Sequence, residues 1–208
     1  TPVQLLTPEH DADVAAPNID TSEVTFSWED YFDSAQAVTW SETGETNPEA
    51  ALNYRIQIDD NQTFSSTLED VRVDQPTYTS ASRLYPEGQL YWRVQAIDAA
   101  GRGLAWSETR AFVKQSPAAV PLFPIDDEAV SGTAAFRWEP QPFNSEYQLE
   151  VYKNDDTTFS STNRLFQASQ VKSAAYAWDQ PIPASGQAYV WRVRGKDSFG
   201  NWMPWSTT

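Results

Sequence analysis

The sequence contains no cysteine among its 208 residues. This absence excludes disulfide bonds, catalytic thiolates and cysteine-ligated zinc at once. A domain with a sufficient apolar core folds without disulfides even outside the cell, so cysteine content leaves the redox state of the compartment open.

Positive charge is also scarce, with 14 lysines and arginines against 29 acidic residues and a net charge of −15. The phosphates of nucleic acids and of anionic membranes would repel such a surface, which excludes nucleic acid as a partner. No apolar run approaches the roughly 20 residues that span a bilayer, so no membrane insertion is predicted. The sequence starts at Thr1 without a signal peptide, and we expect a mature or excised fragment.

Histidine is represented only by His10, which lies in a polar segment and is predicted to be a solvated side chain. Glycine-rich phosphate loops, serine-elbow motifs and metal-spaced histidines are absent from the sequence. We therefore predict that the chain is not an enzyme and has no catalytic residues and no cofactor.

The chain contains an internal repeat. Residues 92–107 read WRVQAIDAAGRGLAWS, and residues 191–206 read WRVRGKDSFGNWMPWS. Seven residues recur at a spacing of 99: Trp92, Arg93, Val94, Asp98, Gly101, Trp106 and Ser107 recur as Trp191, Arg192, Val193, Asp197, Gly200, Trp205 and Ser206. Self-similarity of this kind indicates two homologous modules.

Apolar residues alternate with polar ones along several short segments. Tyr54, Ile56 and Ile58 are separated by Arg55 and Gln57, a period of two that is typical of strands with one buried face. Turn-forming residues punctuate the chain at strand spacing, for example at 86–88 and 184–186. This pattern predicts an antiparallel β-sandwich.

Three motifs occur in the same order in both modules. The second strand contains Phe-x-Trp, starting at Phe26 and Phe136, and the third strand contains Tyr-x-Ile or Tyr-x-Leu. A later segment begins with Trp-Arg-Val and ends with Trp-Ser. Together they resemble the fibronectin type III repeats of bacterial secreted and surface proteins over essentially the whole chain. The resemblance implies an all-β fold of two consecutive immunoglobulin-like (fibronectin type III) β-sandwiches, at residues 1–115 and 116–208. It also implies an extracellular or cell-surface location.

The first module carries a long insertion between its second and third strands, where 25 residues separate Trp28 from Tyr54 against 8 in the second module. Long loops in compact domains are often functional. A binding site on this loop would use Tyr31, Phe32 and Trp40, and folding of these rings over the sandwich edge is the alternative interpretation. Trp202 is a further candidate for ligand contact.

Most other tryptophans are predicted to be structural. Trp28, Trp92, Trp138 and Trp191 occupy inward strand positions and are expected in the core. The resemblance also implies a corner tyrosine, whose hydroxyl bonds backbone, at Tyr189. The first module has Leu90 at that position, so we expect its corner to lack the bond.

Acidic turns offer oxygen ligands that suit calcium. The candidate metal residues are Asp59, Asp60 and Asn61 after the third strand, and Asp126 and Asp127 near the junction. An ordinary Asx turn explains the same residues without a metal and is the favoured interpretation.

The alternating segment 107–114 is predicted to form the seventh strand of the first module, whereas only three residues follow Trp205 in the second. The second module therefore lacks its last strand, which would leave an open sheet edge. Either the polypeptide continues beyond residue 208 or a neighbouring chain supplies the strand. The first explanation is favoured, because the start of the chain already serves as the opening strand of the first module.

These features predict a non-catalytic structural or binding module pair of a larger extracellular protein, acting as a spacer or a protein-interaction unit. The expected partners are other domains of the same polypeptide or other proteins, with a glycan as a further candidate. Two alternatives remain open: a segment of a surface filament or layer completed by a neighbouring strand, and a carbohydrate-binding accessory domain.

Overall fold

The computed structural model describes residues 2–10, 12–15, 24–31, 51–80, 85–98, 100–141, 143–183, 186 and 188–207. The inserted residues Phe32 and Trp40 lie outside this part of the chain. In the described residues the chain divides between Lys114 and Gln115 into two compact units, termed unit 1 and unit 2.

Unit 1 contains two antiparallel sheets. The first has the order β1-β3-β6, and the second has the order β2-β9-β7-β4-β5, with β8 also paired to β7. Their strands are β1 (Leu5–Thr7), β2 (Ala12–Ala15), β3 (Thr25–Trp28), β4 (Ala51–Asp59), β5 (Glu69–Val73), β6 (Thr77–Thr79), β7 (Gly88–Asp98), β8 (Gly103–Trp106) and β9 (Arg110–Gln115). The segment expected to be the seventh strand is β9, which confirms that prediction.

Unit 2 repeats this arrangement with fewer strands. One sheet has the order β10-β11-β14 and the other β13-β12-β15. The strands are β10 (Pro121–Phe123), β11 (Thr133–Trp138), β12 (Glu146–Lys153), β13 (Arg164–Val171), β14 (Ala175–Pro181) and β15 (Tyr189–Lys196). Residues 203–206 run along β15, as β8 runs along β7, and Ser206 N–H donates to the Val193 carbonyl. In the described part of unit 2 no strand takes the place of β9.

Each unit has one aromatic core between its two sheets. In unit 1 the ring of Phe26 lies 5.2 Å from Trp92 and 5.7 Å from Phe112, measured between centroids. In unit 2 Phe136 lies 5.2 Å from Trp191. Trp28, Trp92, Trp138 and Trp191 are 2%, 0%, 1% and 8% exposed, which confirms the predicted core tryptophans. Burial of such rings supplies the main driving force of the fold.

The repeated aspartates close equivalent turns. The Asp98 carboxylate accepts from the N–H groups of Ala100 and Arg102, and Asp197 accepts from Phe199 and Asn201 in the same way. Gly101 and Gly200 adopt φ angles of 78° and 96° inside these turns, a region that glycine enters without strain. The repeated serines cap the neighbouring strands, since Val94 N–H donates to Ser107 Oγ at 2.9 Å and Val193 N–H to Ser206 Oγ at 3.1 Å.

The corner tyrosine is found where it is expected. The Tyr189 hydroxyl donates to the Pro183 carbonyl at 3.0 Å, which confirms that prediction. Leu90 occupies the matching position in unit 1 and is 1% exposed. Tyr85 lies nearby and donates instead to the Glu69 carboxylate at 2.5 Å.

Candidate binding surface

The outer face of one sheet in each unit, the sheet of β7 in unit 1 and that of β15 in unit 2, carries a stack of aromatic rings and guanidinium groups. In unit 1 the guanidinium of Arg93 lies between two rings, 4.1 Å from the centroid of Phe64 and 4.3 Å from that of Trp106. Phe64 reaches this position from the turn after β4 with a φ of 51°. Cation–π attraction and the apolar stem of arginine both favour such stacking.

Unit 2 has the same stack in a longer form, which we call the unit 2 ladder. Its order is Phe159, Arg192, Trp205, Arg194 and Trp202, with cation-to-centroid distances of 4.0, 4.1, 4.3 and 4.3 Å along the series. The Lys196 ammonium lies 4.9 Å from the Trp202 ring as well. The ladder therefore covers most of the outward face of β15.

Side chains of the neighbouring strand hold the arginines in place. Nε and Nη2 of Arg194 donate to Gln148 Oε1 at 2.9 and 2.7 Å, and those of Arg192 donate to Glu150 Oε2 at 3.0 and 2.7 Å. Burial raises the pKa of the Glu150 carboxyl, but hydrogen bonds from Tyr152 and Arg192 outweigh it and leave that pKa below its usual range. Glu150 is thus ionised at neutral pH and anchors the centre of the ladder.

The ladders differ in length because three positions differ between the copies. Gln148 faces Arg194 across the strands of unit 2, whereas Arg55 faces Gln95 in unit 1. Arg194 and Trp202 of unit 2 correspond at the spacing of 99 residues to Gln95 and Gly103 of unit 1. A Cβ atom on Gly103 would lie 2.6 Å from the end of the Gln95 side chain, which fills that space and donates to the Leu104 carbonyl. Unit 1 therefore has a glycine where unit 2 has the ring of Trp202, and the last cation of its stack is the Arg55 guanidinium, 5.7 Å from the Trp106 centroid.

The outer end of the unit 2 ladder is open to solvent. Trp202 is 37% exposed, and the nearby Phe199 is 51% exposed. Exposed aromatic rings beside cationic groups can stack on planar or apolar ligand faces while charged neighbours bond polar groups. Of the residues predicted to contact a ligand, Trp202 is the one with an accessible ring among the described residues.

Tyr31 lies elsewhere and has a different environment. It is 5% exposed, packs in the core of unit 1, and its backbone N–H donates to the Tyr54 hydroxyl at 2.7 Å. Its ring therefore covers the sandwich interior, which was the alternative interpretation of the inserted aromatics. Phe32 and Trp40 lie outside the described residues, so the predicted loop site remains a prediction.

The acidic segment after β4 forms a turn. Asp59 is 1% exposed and accepts from Asp60 N–H at 2.9 Å, while its Oδ2 atom has no hydrogen-bond partner among the residues that the structure describes. Burial raises the pKa of the Asp59 carboxyl above its usual value. Asn61 Oδ1 accepts from Thr63 N–H at 3.0 Å, so that oxygen is engaged in an Asx turn.

The acidic segment near the junction is also a turn. Asp126 and Asp127 have φ angles of 52° and 58°, and Glu128 N–H donates to the Ile125 carbonyl at 3.0 Å, as in a type I′ turn. In the described residues no group of three or more histidine, cysteine or acidic side chains is placed to hold a metal ion. Both sets of candidate metal residues thus lie in turns, and calcium binding at either turn remains a prediction.

Two further residues have local structural partners. His10 Nδ1 accepts from Ala111 N–H at 3.2 Å, which ties the first strands to β9. Asp156 accepts from Thr158 and Asn163, and these hydrogen bonds lower the pKa of its carboxyl to about 2. No helix in the described residues has the length and apolarity of a membrane span.

The arginine–aromatic ladder is the feature that the sequence pattern did not predict. Arg93 and Arg192 alternate with core residues on their strands, and outward arginines are ordinary on a solvated sheet face. Two repeated features of the sequence could have indicated the ladder. The matching Phe-Ser-Ser motifs supply Phe64 and Phe159, and the repeated Trp-Ser motifs supply Trp106 and Trp205. These rings lie on the two sides of Arg93 in unit 1 and of Arg192 in unit 2.

The family model described as Rha78A-like, N-terminal immunoglobulin domain matches residues 135–208. These residues cover most of unit 2, from β11 onward. No curated protein matches the chain.

Three solved structures with similarity along nearly all of the chain are fibronectin type III segments of several domains or modules. A two-domain segment of chicken tenascin is 10% identical, with a TM-score of 0.50, over 98% of this chain and 93% of its own length. The FN1–FN3 domains of chicken CNTN1 are 14% identical, with a TM-score of 0.33. The match covers 99% of this chain and 64% of the CNTN1 segment. The fibronectin(III)-like modules of Clostridium thermocellum CbhA are 9% identical with a TM-score of 0.34, over 98% of this chain and 90% of theirs.

The sheet orders, the two aromatic cores and the likeness to the tenascin pair show a tandem fibronectin type III-like fold. This is the fold that the sequence resemblance implied. Folds of this kind serve many functions, so function must be argued from particular surfaces.

Proposed function

We propose that the chain is a non-catalytic module pair of a larger extracellular or cell-surface protein, acting as a spacer or a protein-interaction unit. The fold is that of a structural or binding module, and one observation carries the proposal. All seven residues that recur at the spacing of 99 have a role in the fold of both units. They build the cores, the ladders, the turns after β7 and β15, and the serine caps.

Two further facts support this role. The matching family model describes an N-terminal domain, which suits a module placed beside other domains of a larger protein. The net charge of −15 favours solubility and disfavours nucleic acid and anionic membranes as partners.

Cell fractionation and activity assays test this proposal. An antibody against residues 1–208 should detect the parent polypeptide in the secreted or surface fraction of the source cells. The purified chain should release no product from chromogenic glycoside, ester and peptide substrates. Detection only in the cytosol would overturn the location, and turnover that persists after repurification would overturn the non-catalytic role.

A carbohydrate-binding role is the second candidate, and the exposed ring of Trp202 at the ladder end favours it. Glycan binding by the chain should fall at least about ten-fold on Trp202→Ala, which removes one stacking surface. Leu6→Ala is the matched control, since Leu6 is 45% exposed on unit 1. Glycan binding that survives Trp202→Ala would remove the ladder end from this role.

A further inference from the structure

The turn after β15 is surrounded by side chains that its counterpart in unit 1 lacks. Asp197 and Gly200 shape this turn as Asp98 and Gly101 shape the turn after β7. Four positions around it are charged or aromatic in unit 2 and neither in unit 1: Arg194, Lys196, Phe199 and Trp202 correspond at the spacing of 99 residues to Gln95, Ile97, Ala100 and Gly103. Because unit 1 forms the same turn without them, the fold of the module does not require these four side chains.

Lys172 adds a third cation at the same place. It follows β13, and its ammonium lies 3.1 Å from the Glu146 carboxylate, to which the Lys196 ammonium also binds at 3.2 Å. The register of the paired strands makes Asp74 the counterpart of Lys172 in unit 1. We call Lys172, Arg194, Lys196, Phe199 and Trp202 the cationic–aromatic patch.

The side chains of the patch are accessible to a ligand. Those of Lys172 and Lys196 are 69% and 28% exposed, and the residues Phe199 and Trp202 are 51% and 37% exposed. The Nη1 group of Arg194 donates to no group in the part of the chain that the structure describes. A ligand can therefore meet two rings and three cations together.

The sheet face that holds the patch is positive, although the chain has a net charge of −15. Its cations in the described residues are Arg164, Lys172, Arg192, Arg194 and Lys196, and the acidic side chains paired with them are Glu146 and Glu150. Asp197 is 5% exposed, and its carboxylate accepts from N–H groups within its own turn. Local positive charge on an acidic chain favours an anionic group at this face.

The acidic remainder of the surface limits how much negative charge the ligand can carry. A long polyanion brings further charges close to the acidic parts of the chain, where they are repelled, whereas ions screen this repulsion beyond about 8 Å at physiological ionic strength. A largely neutral ligand with one carboxylate gains the attraction of the patch and avoids the repulsion. The exposed rings favour a sugar, because the C–H face of a pyranose packs on an aromatic ring while its hydroxyl groups stay solvated.

The position of the patch does not depend on a strand beside the first half of β15. In unit 1 that strand is β9, which pairs with residues 88–92 of β7. The counterpart of Lys196, Ile97, pairs instead with Gly103 of β8 at the other end of β7. Lys196 is bridged by Trp202 in the same way, so the patch lies at the end of β15 that residues 202–206 already cover.

We propose that the cationic–aromatic patch binds a glycan through one carboxylated sugar unit. The sugar ring packs against the exposed rings of Trp202 and Phe199, and its carboxylate accepts charge-assisted hydrogen bonds from Lys196 and Lys172. This inference rests on the carbohydrate-binding role given above as the second candidate, and it names the class of sugar.

Calorimetric titration of the 208-residue chain with acidic oligosaccharides and their neutral parents tests the class of sugar. The probes are xylotetraose that carries one glucuronic acid, with xylotetraose as its parent, and sialyllactose, with lactose as its parent. At least one acidic probe should bind about ten-fold more tightly than its parent, and the preferred probe distinguishes a uronic from a sialic acid. Its affinity should fall as the salt concentration rises from about 50 to about 500 mM, because ions screen the carboxylate contact.

Two lysine variants test the site. Lys196→Gln should weaken binding of the acidic probe about ten-fold and leave binding of its neutral parent unchanged, since only the charge contact is lost. Lys153→Gln is the matched control, because it removes the same charge from the other end of β12, opposite Tyr189, and it should have no effect. In nuclear magnetic resonance the indole N–H of Trp202 should shift with the acidic probe, whereas that of Trp28 should not.

Each other outcome has a distinct meaning. Equal affinity for the acidic probes and their parents would overturn the carboxylate contact and leave the carbohydrate-binding role in place. Absence of binding by all four sugars up to about 10 mM would overturn both. Equal losses in Lys153→Gln and Lys196→Gln would overturn the site, and tighter binding of poly-glutamate than of either acidic sugar would assign the patch to an acidic protein. The fractionation and turnover assays test the spacer role separately, so failure of that role and failure of the sugar site are distinguishable.

Discussion

Asp156 lies in the turn after β12, where Thr158 and Asn163 donate to its carboxylate. Because the pKa of this carboxyl is lowered to about 2 in the fold, ionised Asp156 stabilises unit 2. That contribution is fully present above the usual pKa of 3.8 and is lost as pH falls toward the folded value.

Asp156→Asn should therefore lower the melting temperature at pH 7. The difference from the wild type should shrink as pH falls from about 5 toward about 2.5. Thermal unfolding of both proteins across this range, followed by circular dichroism, measures the effect. A difference that stays constant with pH would show that the carboxylate charge is not involved.

The pKa shift of Asp59 has the opposite sign to that of Asp156, so the stability that it contributes depends on pH in the opposite direction. Burial raises the pKa of its carboxyl, so its contribution to stability is present below the unfolded pKa and is lost as pH rises through the folded pKa. Asp59→Asn should stabilise unit 1 at pH 7 by roughly 1 kcal/mol, because a neutral amide avoids the cost of burying the carboxylate charge, the largest cause of the raised pKa. Urea unfolding of Asp59→Asn and of the exposed control Asp74→Asn checks this. A loss of stability in Asp59→Asn alone would contradict the prediction.

At the scale of the element, β15 combines a packed outer face with an open edge. The ladder on its outer face is a chain of pairwise contacts, and adjacent members should be energetically coupled. A double-mutant cycle with Arg194→Ala and Trp202→Ala should give a coupling free energy of about 0.5–1 kcal/mol. The pair Arg194→Ala and Leu6→Ala, on different units, should give none, and coupling indistinguishable between the two cycles would contradict the ladder.

The open edge should be visible in amide hydrogen exchange. The N–H groups of Leu90 and Trp92 face β9, whereas those of Tyr189 and Trp191 lie on the side of β15 that no strand pairs with in the described part of unit 2. We expect the second pair to exchange faster than the first by at least about ten-fold in native conditions, since amides inside a sheet are protected by their partner strand. Equal protection of the two pairs would mean that another group covers the edge. Nuclear magnetic resonance of the free chain resolves the four amides.

Strand positions were predictable because the period of two follows directly from burial on one face. Trp92 and Trp191 could be assigned to the core for that reason. The ladder was not predictable, because a guanidinium between two rings depends on side chains from three separate segments.

At the scale of the whole molecule, the two units have separate cores and separate sheets. Phe112 lies in the core of unit 1 and has no counterpart in the described part of unit 2. Phe112→Ala should therefore destabilise unit 1 by about 3–5 kcal/mol and leave the transition of unit 2 unchanged. Differential scanning calorimetry should resolve the two transitions, and a matching shift of both would show that the units unfold as one.

The contact between Gly103 and Gln95 limits sequence change in unit 1. A side chain at Gly103 meets the end of Gln95, so a tryptophan there is obstructed while Gln95 keeps its place. An arginine at position 95 would face the like charge of Arg55 on the neighbouring strand, whereas Arg194 of unit 2 faces the neutral Gln148. A longer stack in unit 1 therefore requires concerted changes at positions 55, 95 and 103, and each single change alone is opposed by a side chain already in place.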